Sequence, residues 1–120
     1  MRPHIDGTRF GSVCVGGETY EHDIVIRLNG KVKKRKKKLS KAVHGTSHIV
    51  SVDEAEHIYD KGARRLIVGS GHYGALTLSD EAKRYFEKKD CKVRVKPTPA
   101  AIAAWNDAKA GTIAMFHVTC

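Results

Sequence analysis

Residues 69–74 read Gly-Ser-Gly-His-Tyr-Gly and follow directly on the apolar run Leu66-Ile67-Val68. Glycines at that spacing, at the end of a buried strand, are the pattern of a loop that holds a dinucleotide pyrophosphate on backbone amides. That chemistry needs two further parts. A helix must begin inside the loop, so that its first N–H groups face the phosphate, and an acid must end the next strand to hold the ribose. Here the next helix signal is Ser79, five residues beyond Gly74, and Lys96 stands where the acid belongs. No Gly-Lys-Ser/Thr follows the glycines, which removes a P-loop as well. Gly69 and Gly71 are therefore read first as backbone geometry, at a strand end that turns sharply or approaches another strand closely. A nest of amides for a small anion is the alternative.

The other reactive side chains are scattered. In a sheet with parallel strands, ligands bind beyond the carboxyl ends of the strands. That rule gathers His48, Gly69, Ser70, Gly71, His72, Thr98, Asn106, His117 and Cys120 into one candidate cleft. Three chemistries follow from it. A Cys120 or Ser70 nucleophile with a histidine base is one, but Cys120 and His117 are three apart and point to opposite faces of a strand. A metal held by His48, His72, His117 and Cys120 is the second, and no pair has close ligand spacing. Non-covalent capture of a small polar or anionic molecule, by the glycine loop and the helix start at Thr98, is the third. No catalytic residue, metal ligand or cofactor is assigned. The plain alternative for each histidine is a satisfied structural role, and for Cys120 a small apolar one. Trp105 reads as a packing residue.

Charge is concentrated in one place. The chain has 120 residues and a formal charge of +9. Lys31, Lys33, Lys34, Arg35, Lys36, Lys37, Lys38 and Lys41 carry eight of those charges, which leaves the remainder at +1. Such a run fits a solvated edge strand or loop, where lysines also block edge-to-edge pairing. Lys33, Lys34, Arg35, Lys36, Lys37 and Lys38 are the candidate contacts to an acidic protein or to RNA. The run has no interleaved aromatics for base stacking, so the nucleic-acid reading is the weaker one. Three widely spaced cysteines suit free thiols, and no apolar stretch is long enough for a membrane span. With no secretory h-region at the start, a cytoplasmic protein is expected.

Residues 9–28 read as short strands, with Gly16-Gly17 as a turn. Asn29-Gly30 suggests a two-residue hairpin leading into a strand from Lys31. From residue 51 the pattern alternates. Ser51 and Glu54 form a capping box for a helix ended by Gly62. Leu66-Ile67-Val68 is a covered strand, and Ser79 caps a second helix. Residues 91–95 form another strand. Thr98-Pro99 starts a third helix, with Thr98 as N-cap, running to about Lys109. Residues 112–118 are a last buried strand. The expectation is a single α/β domain: a β meander over about 1–45, then alternating helix and strand over about 46–120, with a mainly parallel sheet.

Four stretches carry a more specific likeness. Gly45-Thr46-Ser47-His48, Leu66-Ile67-Val68-Gly69-Ser70-Gly71, Thr98-Pro99-Ala100-Ala101 with Trp105-Asn106, and Phe116-His117-Val118-Thr119-Cys120 resemble, in order and spacing, the Mth938-domain (DUF498) family. The resemblance covers essentially the whole chain. It implies a three-layer α/β fold, with a central mixed, mainly parallel sheet, helices and an added N-terminal antiparallel β layer. It implies a family without a settled molecular activity, whose eukaryotic relatives are associated with respiratory complex I assembly and adipocyte differentiation. The expected function is a non-enzymatic binding or assembly-type protein acting through protein contacts. Small-molecule binding or an undiscovered enzyme at the strand-end cleft near Gly69 and Gly71 is the second expectation, and nonspecific RNA binding through the basic run the third.

Overall fold

A computed structural model describes residues 2–120. In chain order the elements are β1 (Ile5–Arg9), β2 (Ser12–Val15), β3 (Glu18–Tyr20), β4 (Ile24–Ile26), β5 (Val32–Lys34), α1 (Lys38–His44), β6 (Ile49–Val50) and α2 (Val52–Ile58). They continue with β7 (Arg65–Ser70), β8 (Thr77–Leu78), α3 (Asp80–Lys88), β9 (Lys92–Lys96), α4 (Thr98–Asn106) and β10 (Thr112–His117).

The main sheet has the order β5-β4-β10-β7-β9. β10 and β9 both run parallel to β7, while β4 is antiparallel to β10 and to β5. Four strands therefore share one direction and β4 alone is reversed. β10 lies at the centre with every residue buried, which is why its run reads as continuously apolar. Alternation along the strands sends Val25, Leu66, Val68, Ile113 and Met115 to one face. There they pack on Ala55 and Ile58 of α2 and Ala82 and Phe86 of α3. Ile24, Ile26, Ile67, Ala114 and Phe116 point to the other face, against α4 and the separate antiparallel sheet β1-β2-β3. The result is the expected three layers. No helix among the described residues is long and apolar enough to cross a membrane.

The N-terminal half is divided more sharply than its sequence suggests. β1–β3 form their own sheet, and β4–β5 join the main one. β1 carries no strand signal of its own, because Ile5 is its only buried residue. It is anchored from outside: Asn106 Oδ1 accepts from Ile5 N at 2.9 Å, and Asn106 Nδ2 donates to Ile5 O at 3.0 Å. Trp105 is fully buried beside that clamp, and its Nε1 donates to Pro3 O at 2.9 Å.

Several local expectations need correction. The β4–β5 turn has three residues, not two. Gly30 N donates to Arg27 O and Arg27 N to Lys31 O, with Gly30 at φ 85° closing a type I turn. The basic run leaves the strand after Lys34 and becomes α1, so the meander does not extend to residue 45. Ser51 does cap α2, accepting from Glu54 N at 3.1 Å. Glu54 does not reach back, because Arg35 and Ser40 hold its carboxylate. α2 ends at Ile58, before Gly62, and Ser79 caps α3 as expected. The N-cap of α4 is Pro97, and the helix ends at Asn106, short of Lys109. The Thr98 hydroxyl instead donates to His117 O at 2.6 Å and accepts from Gly71 N at 2.9 Å.

Candidate functional site

The loop after β7 closes on itself. Gly71 N donates to Thr98 Oγ1, His72 N to Thr119 O, Tyr73 N and Ala75 N to Cys120 O, Gly74 N to Gly71 O, and Leu76 N to Ser70 O. Each amide from 71 to 76 already has a protein acceptor, so the loop offers no nest for an anion. Ser70 is buried below it. Thr98 N is bonded to Gly71 O, so the start of α4 is tied to the same loop.

The expected cleft assembles only in part. His48 and His117 meet, with ring centroids 5.2 Å apart and planes at 73°. His72 lies elsewhere, against Phe10 and 3.3 Å from Thr8 Oγ1. Asn106 is the clamp on β1 and does not converge with the histidines. Cys120 contributes its carbonyl to the loop. What remains is a cleft of about 260 Å³ at the carboxyl end of β10, lined by His22, Asp23, Lys34, Lys37, His48, His117 and Thr119 among others.

Under that cleft runs a buried polar chain that the sequence does not announce. His117 Nδ1 lies 2.8 Å from Asp23 Oδ2, which also accepts from Arg35 Nη1 at 2.9 Å. Asp23 Oδ1 accepts from Val118 N at 2.9 Å. Arg35 Nε and Nη2 donate to the two oxygens of Glu54 at 2.6 and 3.0 Å, and Nη2 also donates to Ser47 O at 2.6 Å. Ser40 donates to Glu54 and accepts from Ser51 N. Arg35 is only 4% exposed and Glu54 0%. Arg35 is therefore not the polyanion contact expected of it. A lone arginine among lysines is the one local signal, since only a guanidinium can bridge two carboxylates in a planar fork.

Burial by itself raises the Asp23 pKa, but the hydrogen bonds from His117, Val118 N–H and Arg35, with the His117 charge, outweigh it and hold the group below its ordinary value. The stabilisation this gives is complete above the unfolded value, about 4, and drains away as pH falls through the lower folded one. Urea unfolding from pH 7 to pH 2 is expected to show a steep loss below about pH 4. Asp23→Asn should flatten that segment, and an unchanged acid limb in the variant would contradict the assignment.

The lysines that remain outside form the larger concavity. Arg27, Lys33, Lys34 and Lys36 line a groove of about 710 Å³ between β5 and α2, with Glu56, His57 and Tyr59 on the facing side. Partial burial, then the Lys36 and Arg27 charges, hold His57 below the usual imidazole value. Lys38 is exposed at the start of α1. A second basic groove of about 460 Å³ lies between β9 and α4, lined by Arg65, Arg94, Lys96 and Lys109 and including Asp107.

A family model described as protein of unknown function (DUF498/DUF598) matches residues 5–112. The conserved hypothetical protein PH1505 from Pyrococcus horikoshii OT3 is 39% identical, with a TM-score of 0.91 over 97% of this chain and 98% of that one. A structure described as MT938 is 33% identical, with a TM-score of 0.84 over 98% and 99%. A Bordetella pertussis protein described as a Mth938-like domain shares the fold at 12% identity, with a TM-score of 0.69 over 97% and 85%.

Proposed function

The chain belongs to the DUF498/DUF598 family of Mth938-like domains, and from that premise we propose that it is a binding protein of the assembly type, which receives an acidic segment of a partner protein in the groove between β5 and α2. The observation that carries this reading is the groove's lining. Three exposed lysines, Lys33, Lys34 and Lys36, line the larger of the described concavities with one carboxylate, Glu56, and with Arg27, which is paired with Asp60 at 3.5 Å. Cationic side chains around a concave surface steer and hold an extended polyanion. A protein fits better than RNA. The phenol ring in the groove, Tyr59, is already engaged by Tyr85 at 6.0 Å and Lys89 at 5.6 Å. Base stacking needs a free ring.

The test is fluorescence anisotropy with a labelled glutamate-rich peptide. Three exposed ion pairs at about 0.5 kcal/mol each amount to roughly a tenfold change in affinity. Lys33→Ser, Lys34→Ser and Lys36→Ser together should therefore weaken binding about tenfold, while Arg94→Ser with Lys96→Ser in the second groove leaves it within about twofold. Equal losses from both sets would reduce the effect to net charge and remove the groove. Single-stranded RNA binding more tightly than the peptide would replace the protein partner.

A further inference from the structure

We propose that the strand-end cleft is a second site, an acyl-transfer centre in which Thr119 Oγ1 is the nucleophile, His117 Nε2 its base, and Asp23 the group that positions the ring. It shares Lys34 with the basic groove but has its own reactive groups, and it adds a reaction to a binding protein.

The proton placement follows from the partners. An ionised carboxylate only accepts, so the His117 nitrogen 2.8 Å from Asp23 Oδ2 carries a hydrogen. In the neutral ring the lone pair then sits on Nε2. Its neighbour is Thr119 Oγ1 at 3.3 Å. That separation is loose, as nucleophile–base contacts are before substrate arrives. Asp23 cannot swing away, because Arg35 and Val118 N–H hold its two oxygens. The His48 ring lies edge-on against His117 and restricts it from the other side. His117 is 4% exposed, and both it and Thr119 line the cleft. Nucleophile, base and orienting acid stand in the order that acyl transfer requires.

Lys34 and Lys37 line the same cleft and supply positive charge toward a tetrahedral oxyanion. They outnumber the exposed carboxylate of the lining, Glu21, and so favour a short-chain ester carrying a carboxylate or phosphate, since about 260 Å³ leaves room for little more. Thr119 Oγ bonds to the carbonyl carbon as its proton passes to His117 Nε2. Collapse breaks the ester C–O bond, and the leaving alcohol takes that proton. Water, deprotonated by the same nitrogen, then releases the acid and restores Thr119.

The test is labelling with a fluorophosphonate, in which the Oγ–P bond forms as fluoride leaves, read by peptide mass spectrometry. One adduct at Thr119 is expected. Thr119→Ser should keep an adduct at that position, and Thr119→Val and His117→Gln should lose it. If His117→Gln does not fold, the Ser and Val variants decide. With mono-p-nitrophenyl succinate as substrate, Asp23→Asn should lower kcat at least about 100-fold with KM unchanged. No adduct on folded wild-type protein, or one that persists in Thr119→Val, overturns the proposal.

Discussion

Arg35→Ala is expected to lower the unfolding free energy by about 3–5 kcal/mol, the range for breaking a buried ion pair from one side. The substitution leaves the Glu54 carboxylate fully buried and Asp23 nearly so, with their shared cation gone. Burial by itself would lower the Arg35 pKa, but its bonds and attraction to Glu54 and Asp23 raise it instead, so the guanidinium keeps its charge inside the protein. A domain of this size has roughly 5–15 kcal/mol in total, so the substitution removes a large share of it. Arg35→Lys should recover only a small part. One ammonium cannot make the paired Nε and Nη2 contacts to Glu54 while also reaching Asp23 and Ser47 O. Lys36→Ala, one residue away and exposed, should stay within about 0.5 kcal/mol. Urea midpoints of the three variants provide the measurement. An Arg35→Ala protein as stable as Lys36→Ala would show that the network holds nothing together.

That contrast also marks what the sequence can and cannot disclose. Ser51 and Ser79 are legible as helix caps because a cap depends on residues three positions away. The strands at 65–70 and 112–117 are legible because both faces are covered. The Asp23–Arg35–Glu54 cluster is not, because its members are brought together only by tertiary structure. Asp23 looks like a polar residue before a strand, and Glu54 like half of a capping box. The basic run reads as uniform, although folding divides it. Lys33, Lys34 and Lys36 line the groove, Lys34 and Lys37 reach the cleft, and Arg35 turns inward. Of the residues assigned to the cleft, His48 and His117 share it. Asn106 does not, because α4 starts at Thr98, bonded to Gly71 O, and carries its last residue back to Ile5. Thr119 carries no signal beyond lying two residues from a histidine.

Gly71→Ala should destabilise the protein by about 3 kcal/mol or more, combining left-handed backbone strain with overpacking. Gly71 has φ 99°, and a Cβ there would lie 2.1 Å from the Cys120 carbonyl carbon, 2.5 Å from its oxygen and 2.8 Å from His117 Cδ2. Two of those contacts are backbone, so no rotamer change relieves them. Moving the strap of residues 119–120 outward would break the bonds from His72 N, Tyr73 N and Ala75 N. Gly74→Ala separates the two contributions. Its φ is 68°, but the nearest atom to its Cβ is Ser70 Oγ at 3.7 Å, so only the backbone cost of about 1 kcal/mol applies. The two glycines occupy equivalent-looking places in a phosphate-loop pattern, and a loop built for phosphate would lose ligand affinity at either with little change in stability. Denaturation midpoints, with hydrogen exchange at the amides of His72, Tyr73 and Ala75, distinguish the cases. A Gly71→Ala protein within about 1 kcal/mol of wild type, with those amides still protected, would show that the strap yields without loss. A large loss at Gly71 beside a small one at Gly74 would show why glycine is needed after β7. The strand end must pass within touching distance of Cys120 and His117 at the far end of β10, beside two of the residues that line the cleft, His117 and Thr119.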